Sequence, residues 1–173
     1  MLTALLTMGL TLLVAAIFAH SGVSKLRYAH VYRDIVEGYA GRDVALPWVR
    51  LLGGAELTIA LAMVLPASRS IAALLAALAL AGYAALMAQQ LRSDQARMRC
   101  GCGGVDSETR VAPELVVRNL LLAVSMAWLA GQYATSVPGA VYIAGAALGV
   151  LLMVCYASTD QLIANHQKMR GIR

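Results

Sequence analysis

The sequence has little charge and few aromatic residues. Only 13% of its 173 residues are Asp, Glu, Lys or Arg, and 6% are Phe, Trp or Tyr. A soluble domain usually has about a quarter charged residues, so this composition excludes an ordinary soluble globular protein. The chain is also too short for two such domains. With 60% hydrophobic residues and a mean hydropathy of +0.70, it is predicted to be one integral membrane domain over residues 1–173.

Common catalytic and nucleic-acid-binding patterns are also missing. The sequence contains no Ser-His-Asp arrangement, phosphate-binding loop or paired carboxylates. Its net charge of +5 is compatible with nucleic-acid binding, but no nucleic-acid module is evident, and basic residues beside membrane helices commonly set orientation instead. No Lys or Arg precedes Lys25, and the first apolar run is too long for a typical signal peptide. We therefore expect a retained first helix and no nucleic-acid partner.

Five apolar blocks are each long enough to cross a lipid bilayer as a helix, which takes about 20 residues. An amphipathic segment over 24–46 follows the first block, with tyrosines and aliphatic residues at helical spacing opposite charged residues. Such a helix lies at the membrane surface, either as a lid or docking surface over a site or as a simple linker. The predicted transmembrane helices cover approximately residues 2–19, 48–65, 71–91, 115–133 and 138–156.

The basic residues are distributed unevenly between the two predicted membrane faces. All of the 14 Lys and Arg except Arg69 fall on the face that receives the loop between the third and fourth apolar blocks. Under the positive-inside rule this face is cytoplasmic and the amino terminus lies outside.

The same loop contains the sequence Arg-Cys-Gly-Cys-Gly-Gly at 99–104. Glycines allow backbone conformations that let the thiols of Cys100 and Cys102 meet, and a strained disulfide is more easily reduced. Nearby arginines favour the thiolate form. The pair is therefore a candidate redox couple, with Cys100 and Cys102 as catalytic residues, although a glycine-rich turn that contains two cysteines without a redox role is the alternative. The pattern does not indicate which thiol attacks. The nearby arginines are Arg97, Arg99 and Arg110.

Glu56 is predicted to lie inside the second transmembrane helix, about 12 Å along the helix from Trp48. An ionisable group at that depth usually faces a partner or a wet cavity. Arg118 lies in the same half of the predicted membrane, with Asn119 beside it, so we expect a Glu56–Arg118 pair. The group is either a structural ion pair or a polar pocket that binds a quinone head group or conducts protons.

The remaining candidates are a third thiol, three histidines and a glycine pair. Cys155 is predicted near the end of the fifth helix, at the membrane face that bears Cys100 and Cys102. It is either a packing residue or a resolving thiol. Thiolate and imidazole groups together could bind zinc or copper, but their spacing matches no zinc pattern, so we expect no metal site. Gly145 and Gly149 form a small-residue face suited to helix packing. The histidines are His20, His30 and His166.

Three features together resemble the MauE and DoxX group of small membrane proteins. They are the Gly-Val-Ser-Lys-Leu segment at 22–26, Glu56 in a glycine-bearing helix, and the cysteine motif ahead of Val-Arg-Asn-Leu at 117–120; the resemblance spans roughly residues 5–130. It implies a four-helix transmembrane bundle to which the fifth helix is an addition. It also implies a role in maturing the disulfide-rich small subunit of methylamine dehydrogenase beside a thioredoxin-like partner, MauD.

The helix order is also similar to vitamin K epoxide reductase-like enzymes, which pass dithiol electrons to a quinone. From the resemblance we expect a thiol–disulfide redox or maturation factor of the bacterial inner membrane, with a cofactor pocket at Glu56, Arg118 and Asn119. That role needs a periplasmic cysteine loop, whereas the charge distribution predicts a cytoplasmic one; both orientations stay open. Two alternative functions are a non-catalytic membrane anchor that assembles a larger complex, with its glycine faces as docking surfaces, and a metal carrier.

Overall fold

The computed structural model describes residues 1–93, 100–101, 109–132 and 139–169. Within these ranges the secondary structure is helical, and five of the helices are long and apolar enough to cross a membrane. The prediction of an all-α, multi-pass integral membrane protein is confirmed. The helices are α1 (Leu2–Arg27), α2 (Ala29–Ala40), α3 (Leu46–Val64), α4 (Arg69–Arg92), α5 (Pro113–Ala130) and α6 (Gly139–Met169).

Two helices are longer than the apolar pattern predicts. The first continues beyond residue 19 to Arg27, so the predicted surface helix over 24–46 is reduced to α2, which begins after a break at Tyr28. The last helix continues beyond residue 156 to Met169, and its 31 residues span about 46 Å against about 30 Å of hydrocarbon. Both extensions are polar, and contacts with other helices in the bundle rather than hydropathy explain why they stay helical.

Glycines bring α1 and α3 into backbone contact. A Cβ atom on Gly22 would lie 2.7 Å from the carbonyl oxygen of Gly53, and a Cβ atom on Gly53 would lie 2.9 Å from that of Gly22. A side chain at either position would therefore push the two helices apart. Gly54, the neighbouring glycine, has open space where its Cβ would be. The close crossing places Cβ of Lys25 beside Gly53, and the lysine side chain reaches from there to Glu56, one turn further along α3.

The glycine face of α6 packs against α1. A Cβ atom on Gly145 would lie 2.5 Å from Cβ of Met8, and one on Gly149 would lie 3.0 Å from Cβ of Leu12. The small-residue face identified in the sequence is therefore occupied within the chain. This contact counts against the use of that face as a docking surface for another protein.

The hydrophobic core fills the half of the bundle away from the cysteine loop. Small alanines on α4 let α5 approach closely, and larger side chains from α1 and α3 fill the centre. At the loop end the packing gives way to a cavity, which α2 borders. The fold thus places polar side chains around a space near one end of the bundle. Buried core residues include Val14, Phe18, Met63, Ala73, Ala76, Leu122, Met126 and Leu129.

Candidate functional site

A cavity of about 150 Å³ lies at the loop end of the bundle. All six helices contribute to its wall, together with Cys100 and Gly101 from the connection between α4 and α5. A cavity of this size accommodates a single six-membered ring. Most of the wall is apolar, and a few polar groups face the space. The polar residues of the wall are Ser21, Lys25, Tyr32, Tyr39, Glu56, Tyr83, Cys100, Asn119 and Tyr156.

Lys25 and Glu56 form a buried ion pair in the cavity wall. Lys25 Nζ lies 2.9 Å from Oε1 and 2.8 Å from Oε2 of Glu56, and it donates a third bond to Oγ of Ser21 at 2.5 Å. Only 7% of Lys25 and 2% of Glu56 are exposed. Because all three ammonium protons and both carboxylate oxygens have partners, the cost of removing two charges from water is offset by close pairing.

Tyrosines surround the ion pair. The hydroxyl of Tyr83 on α4 donates a short hydrogen bond to Oε1 of Glu56. The ammonium group of Lys25 lies 5.4 Å from the ring centre of Tyr32 and 5.8 Å from that of Tyr83, within cation–π range. The lysine is therefore held by a carboxylate, a hydroxyl and two aromatic faces. This arrangement fixes an ion pair beside a mostly apolar space.

The predicted pairing of Glu56 with Arg118 is wrong. Arg118 instead forms a salt bridge with Asp160 on α6, and its guanidinium lies 4.3 Å from the ring centre of Tyr156. Successive residues of a helix point about 100° apart, so Arg118 faces α6 while Asn119 faces the cavity. Glu56 in α3 pairs instead with Lys25. The distribution of basic residues in the sequence had placed Lys25 at the membrane face.

Asn119 and Cys100 contact the same methionine. The amide nitrogen of Asn119 lies 3.7 Å from Sδ of Met87, and Sγ of Cys100 lies 4.0 Å from that atom. Cys100 is 6% exposed and packs with Val111 and Leu115 in addition to Met87. Two of the predicted site residues, Glu56 and Asn119, thus line one cavity with Cys100.

The backbone around Cys100 is ordered by local contacts. Its N–H donates to the carbonyl oxygen of Thr109 at 2.9 Å. Gly101 has φ +72°, a left-handed conformation that favours glycine, and a Cβ there would lie 3.2 Å from a methyl group of Ile35 on α2. Cys102 lies outside the described residues, so the redox pairing of Cys100 with Cys102 stays a prediction.

The other metal-binding and thiol candidates do not join this site. Cys155 is exposed on α6, and His20, His30 and His166 are exposed as well. In the part of the chain that the structure describes, no three His, Cys, Asp or Glu side chains come together in a way that could hold a metal ion.

Sequence reasoning missed Lys25 and Tyr83. The alanine-rich helix α4 supplies Tyr83 and Met87, one turn apart on the face toward the cavity. That spacing, in a helix otherwise built from Ala and Leu, was the available signal. For Lys25 the signal was its position three residues after Gly22.

The fold and the cavity define a class of small multi-pass membrane protein in which a buried ion pair, a tyrosine and a thiol share one cavity. Among known families, the sequence matches methylamine utilisation protein MauE over residues 3–132. The chain belongs to this family, whose name links its members to methylamine utilisation. The match covers α1 to α5 and ends before α6. No curated protein and no solved structure matches the chain.

Proposed function

We propose that the protein is a membrane thiol–disulfide redox or maturation factor of methylamine utilisation, in which Cys100 and Cys102 alternate between dithiol and disulfide. The observation that carries this proposal is the position of Cys100 in the wall of a cavity that also contains Lys25, Glu56 and Asn119. A thiol used only for packing has no need of a fixed charge and hydrogen-bond donors beside it.

The burial of Cys100 assigns different tasks to the two thiols. Thiol–disulfide exchange requires an accessible thiolate, and Cys100 is 6% exposed. We therefore propose that a soluble thioredoxin-like partner exchanges with Cys102, and that Cys100 faces the electron acceptor within the cavity. Forming the Cys100–Cys102 bond releases two electrons and two protons, and the acceptor must take up both.

A quinone ring fits the residues of the cavity. The volume suits one ring, most of the wall is apolar, and the acceptor that Asn119 has among the described residues is a thioether sulfur, which is a weak acceptor. Asn119 would therefore donate a hydrogen bond from its amide to a quinone carbonyl oxygen. The charge of Lys25 would favour electron density on that oxygen. A bound quinone supplies a two-electron, two-proton acceptor. In this proposal Arg118 supports the cavity through its contact with Tyr156, which lines the wall.

The partners and the location follow from the family role. We propose that the protein acts in the bacterial inner membrane with a MauD-like, thioredoxin-like partner on a disulfide-rich client such as the small subunit of methylamine dehydrogenase. Such a client matures on the periplasmic side, whereas the distribution of Lys and Arg predicts a cytoplasmic cysteine loop. Cysteine labelling distinguishes these orientations. The two positions to label are His30 on α2, at the loop end, and Ala67, in the turn between α3 and α4. Both residues are exposed.

The redox proposal is tested by trapping the thiols of the purified protein. After treatment with an oxidant or a reductant, alkylation and mass spectrometry count the free thiols, and peptide mapping assigns them. We expect the oxidised wild-type protein to lose two alkylation sites, at Cys100 and Cys102, and Cys100→Ser and Cys102→Ser each to abolish that change. Cys155→Ser is the control and leaves the difference intact. If both loop thiols remain alkylatable under every condition, the proposal is wrong.

The quinone step has its own measurement. The reduced protein is mixed with a short-chain quinone, and quinol formation is followed by absorbance. We expect one quinol per dithiol, and a slower reaction in Asn119→Leu with the disulfide still able to form under a chemical oxidant. Quinone reduction that persists in the Cys100→Ser, Cys102→Ser double variant would refute electron transfer from this dithiol.

A further inference from the structure

The last part of α6 returns to the site through one face of the helix. Tyr156 lines the cavity, Asp160 pairs with Arg118, Ile163 packs against the hydrophobic cluster that includes Cys100, and Gln167 bonds to Arg110. These α6 positions are separated by four, three and four residues, the spacing of a single helix face. The face lies beyond residue 132, where the family match ends.

Gln167 makes the most specific of these contacts. Its Oε1 accepts from the backbone N–H of Arg110 at 3.0 Å, and its Nε2 donates to the backbone carbonyl of the same residue at 3.1 Å. One side-chain amide thereby satisfies both backbone groups of Arg110, as a neighbouring strand would. The residue before Arg110, Thr109, accepts the N–H of Cys100 at 2.9 Å. A short chain of hydrogen bonds thus connects α6 to the backbone of the thiol.

We propose that Gln167 is a positioning residue for Cys100, and that residues 156–169 of α6 form a clamp that keeps this thiol in the cavity wall. Cys100 is 6% exposed, and in this proposal a reagent from solution reaches it when the backbone at 100–101 and 109–110 lifts from the bundle. Lifting breaks both bonds to Gln167, so the bonds reduce the fraction of time for which the thiol is open. The clamp concerns access to the thiol, so it holds whether or not the dithiol cycle proposed above occurs.

The experiment measures how fast N-ethylmaleimide alkylates Cys100 in reduced, detergent-solubilised protein. A background with Cys102→Ser and Cys155→Ser leaves a single thiol. We expect Gln167→Ala to raise the alkylation rate about tenfold, the change that corresponds to the loss of two modest hydrogen bonds. Gln167→Asn, whose amide is one methylene shorter, should raise it by a similar factor. Gln161→Ala is the matched control, since Gln161 is exposed on the same helix, and should leave the rate unchanged.

A purely structural role for Gln167 predicts a different result. The thermal midpoint of each variant is measured beside the alkylation rate, and the clamp predicts a faster rate in Gln167→Ala with a midpoint close to that of Gln161→Ala. A rate within twofold of the control overturns the proposal. A faster rate accompanied by a lower midpoint indicates general loosening of the bundle and overturns it as well.

Discussion

Replacing one member of the Lys25–Glu56 pair should destabilise the protein more than replacing both. In Lys25→Met, the hydroxyl of Tyr83 is the one hydrogen-bond partner that the described residues still give the carboxylate of Glu56, at a position that is 2% exposed. Breaking a buried pair by removing one partner typically costs about 3–5 kcal/mol, because an unpaired charge remains buried. We expect a loss of unfolding free energy in that range for Lys25→Met, and a similar loss for Glu56→Met.

The double variant Lys25→Met, Glu56→Met removes both charges and leaves apolar side chains of similar length. Replacement of a whole buried pair by hydrophobic residues is often neutral or stabilising. We therefore expect the double variant to lie within about 1 kcal/mol of the wild type, which gives a coupling energy of several kcal/mol between the two sites. Arg27→Met is the control, since Arg27 is an exposed basic residue on the same helix and should change stability by no more than about 0.5 kcal/mol.

The assay is equilibrium unfolding in mixed micelles of a mild detergent and SDS, followed by far-ultraviolet circular dichroism for all four proteins and the control. Tyr83→Phe extends the series by removing one hydrogen bond to a charged acceptor, which should cost about 1.5–3 kcal/mol. Additive losses in the double variant would show that the two charges do not interact. A single-variant loss below about 1 kcal/mol would refute the view that either charge is buried in the native bundle.

Three further predictions concern the helix contacts and the α2 end. Gly22→Val should destabilise the bundle or prevent folding because its side chain meets the backbone of α3, whereas Gly54→Val, at an open position, should fold; detergent melting curves compare them. Gly145→Leu should free α6 from α1 and raise the rate of proteolysis within α6, and an unchanged rate would contradict the packing. Arg33 and the N–H of Val44 hold the pKa of Glu37 below its ordinary value, so this contact stabilises the α2 end at neutral pH and is lost as pH falls through the lowered pKa, below 4.5. Deuterium exchange at Val44 should therefore differ between wild type and Glu37→Gln at pH 6, and the difference should shrink as pH falls below 4.5; a difference that does not change with pH would refute the role of the carboxylate.

The number and order of the transmembrane helices could be predicted because burial in lipid depends on a long apolar run, which is local in sequence. The ends could not. Hydropathy ends the first helix near residue 19 and the last near residue 156, but Lys25 and Asp160 lie in continuing helices because each has a partner on another helix. A polar residue stays in a helix when a distant residue neutralises it, and that information is absent from the local pattern.

The candidate site was also predictable only in part. Glu56 stood out because an acid within an apolar helix needs a partner. Choosing the partner required the relative rotation of α1, α3 and α5, and a rotation of 100° separates Asn119, in the cavity wall, from Arg118, on the side of α6. The signal for Tyr83, its one-turn spacing from Met87, was weak, because a tyrosine in an apolar helix is commonly a packing residue.

The crossing of α1 and α3 explains why glycine and lysine occur three residues apart in the segment 22–26. Helical side chains point toward the amino terminus, so Lys25 extends back along α1 into the bundle rather than out to the surface. Its stem passes Gly53, where a Cβ would lie 2.9 Å from that of Lys25, before the ammonium group reaches Glu56. A side chain at position 53 would block this path, and one at position 22 would move α3 away from the lysine. The two glycines and the two charges are therefore one structural unit, and the positive charge it fixes lies in the wall of the cavity that contains Cys100.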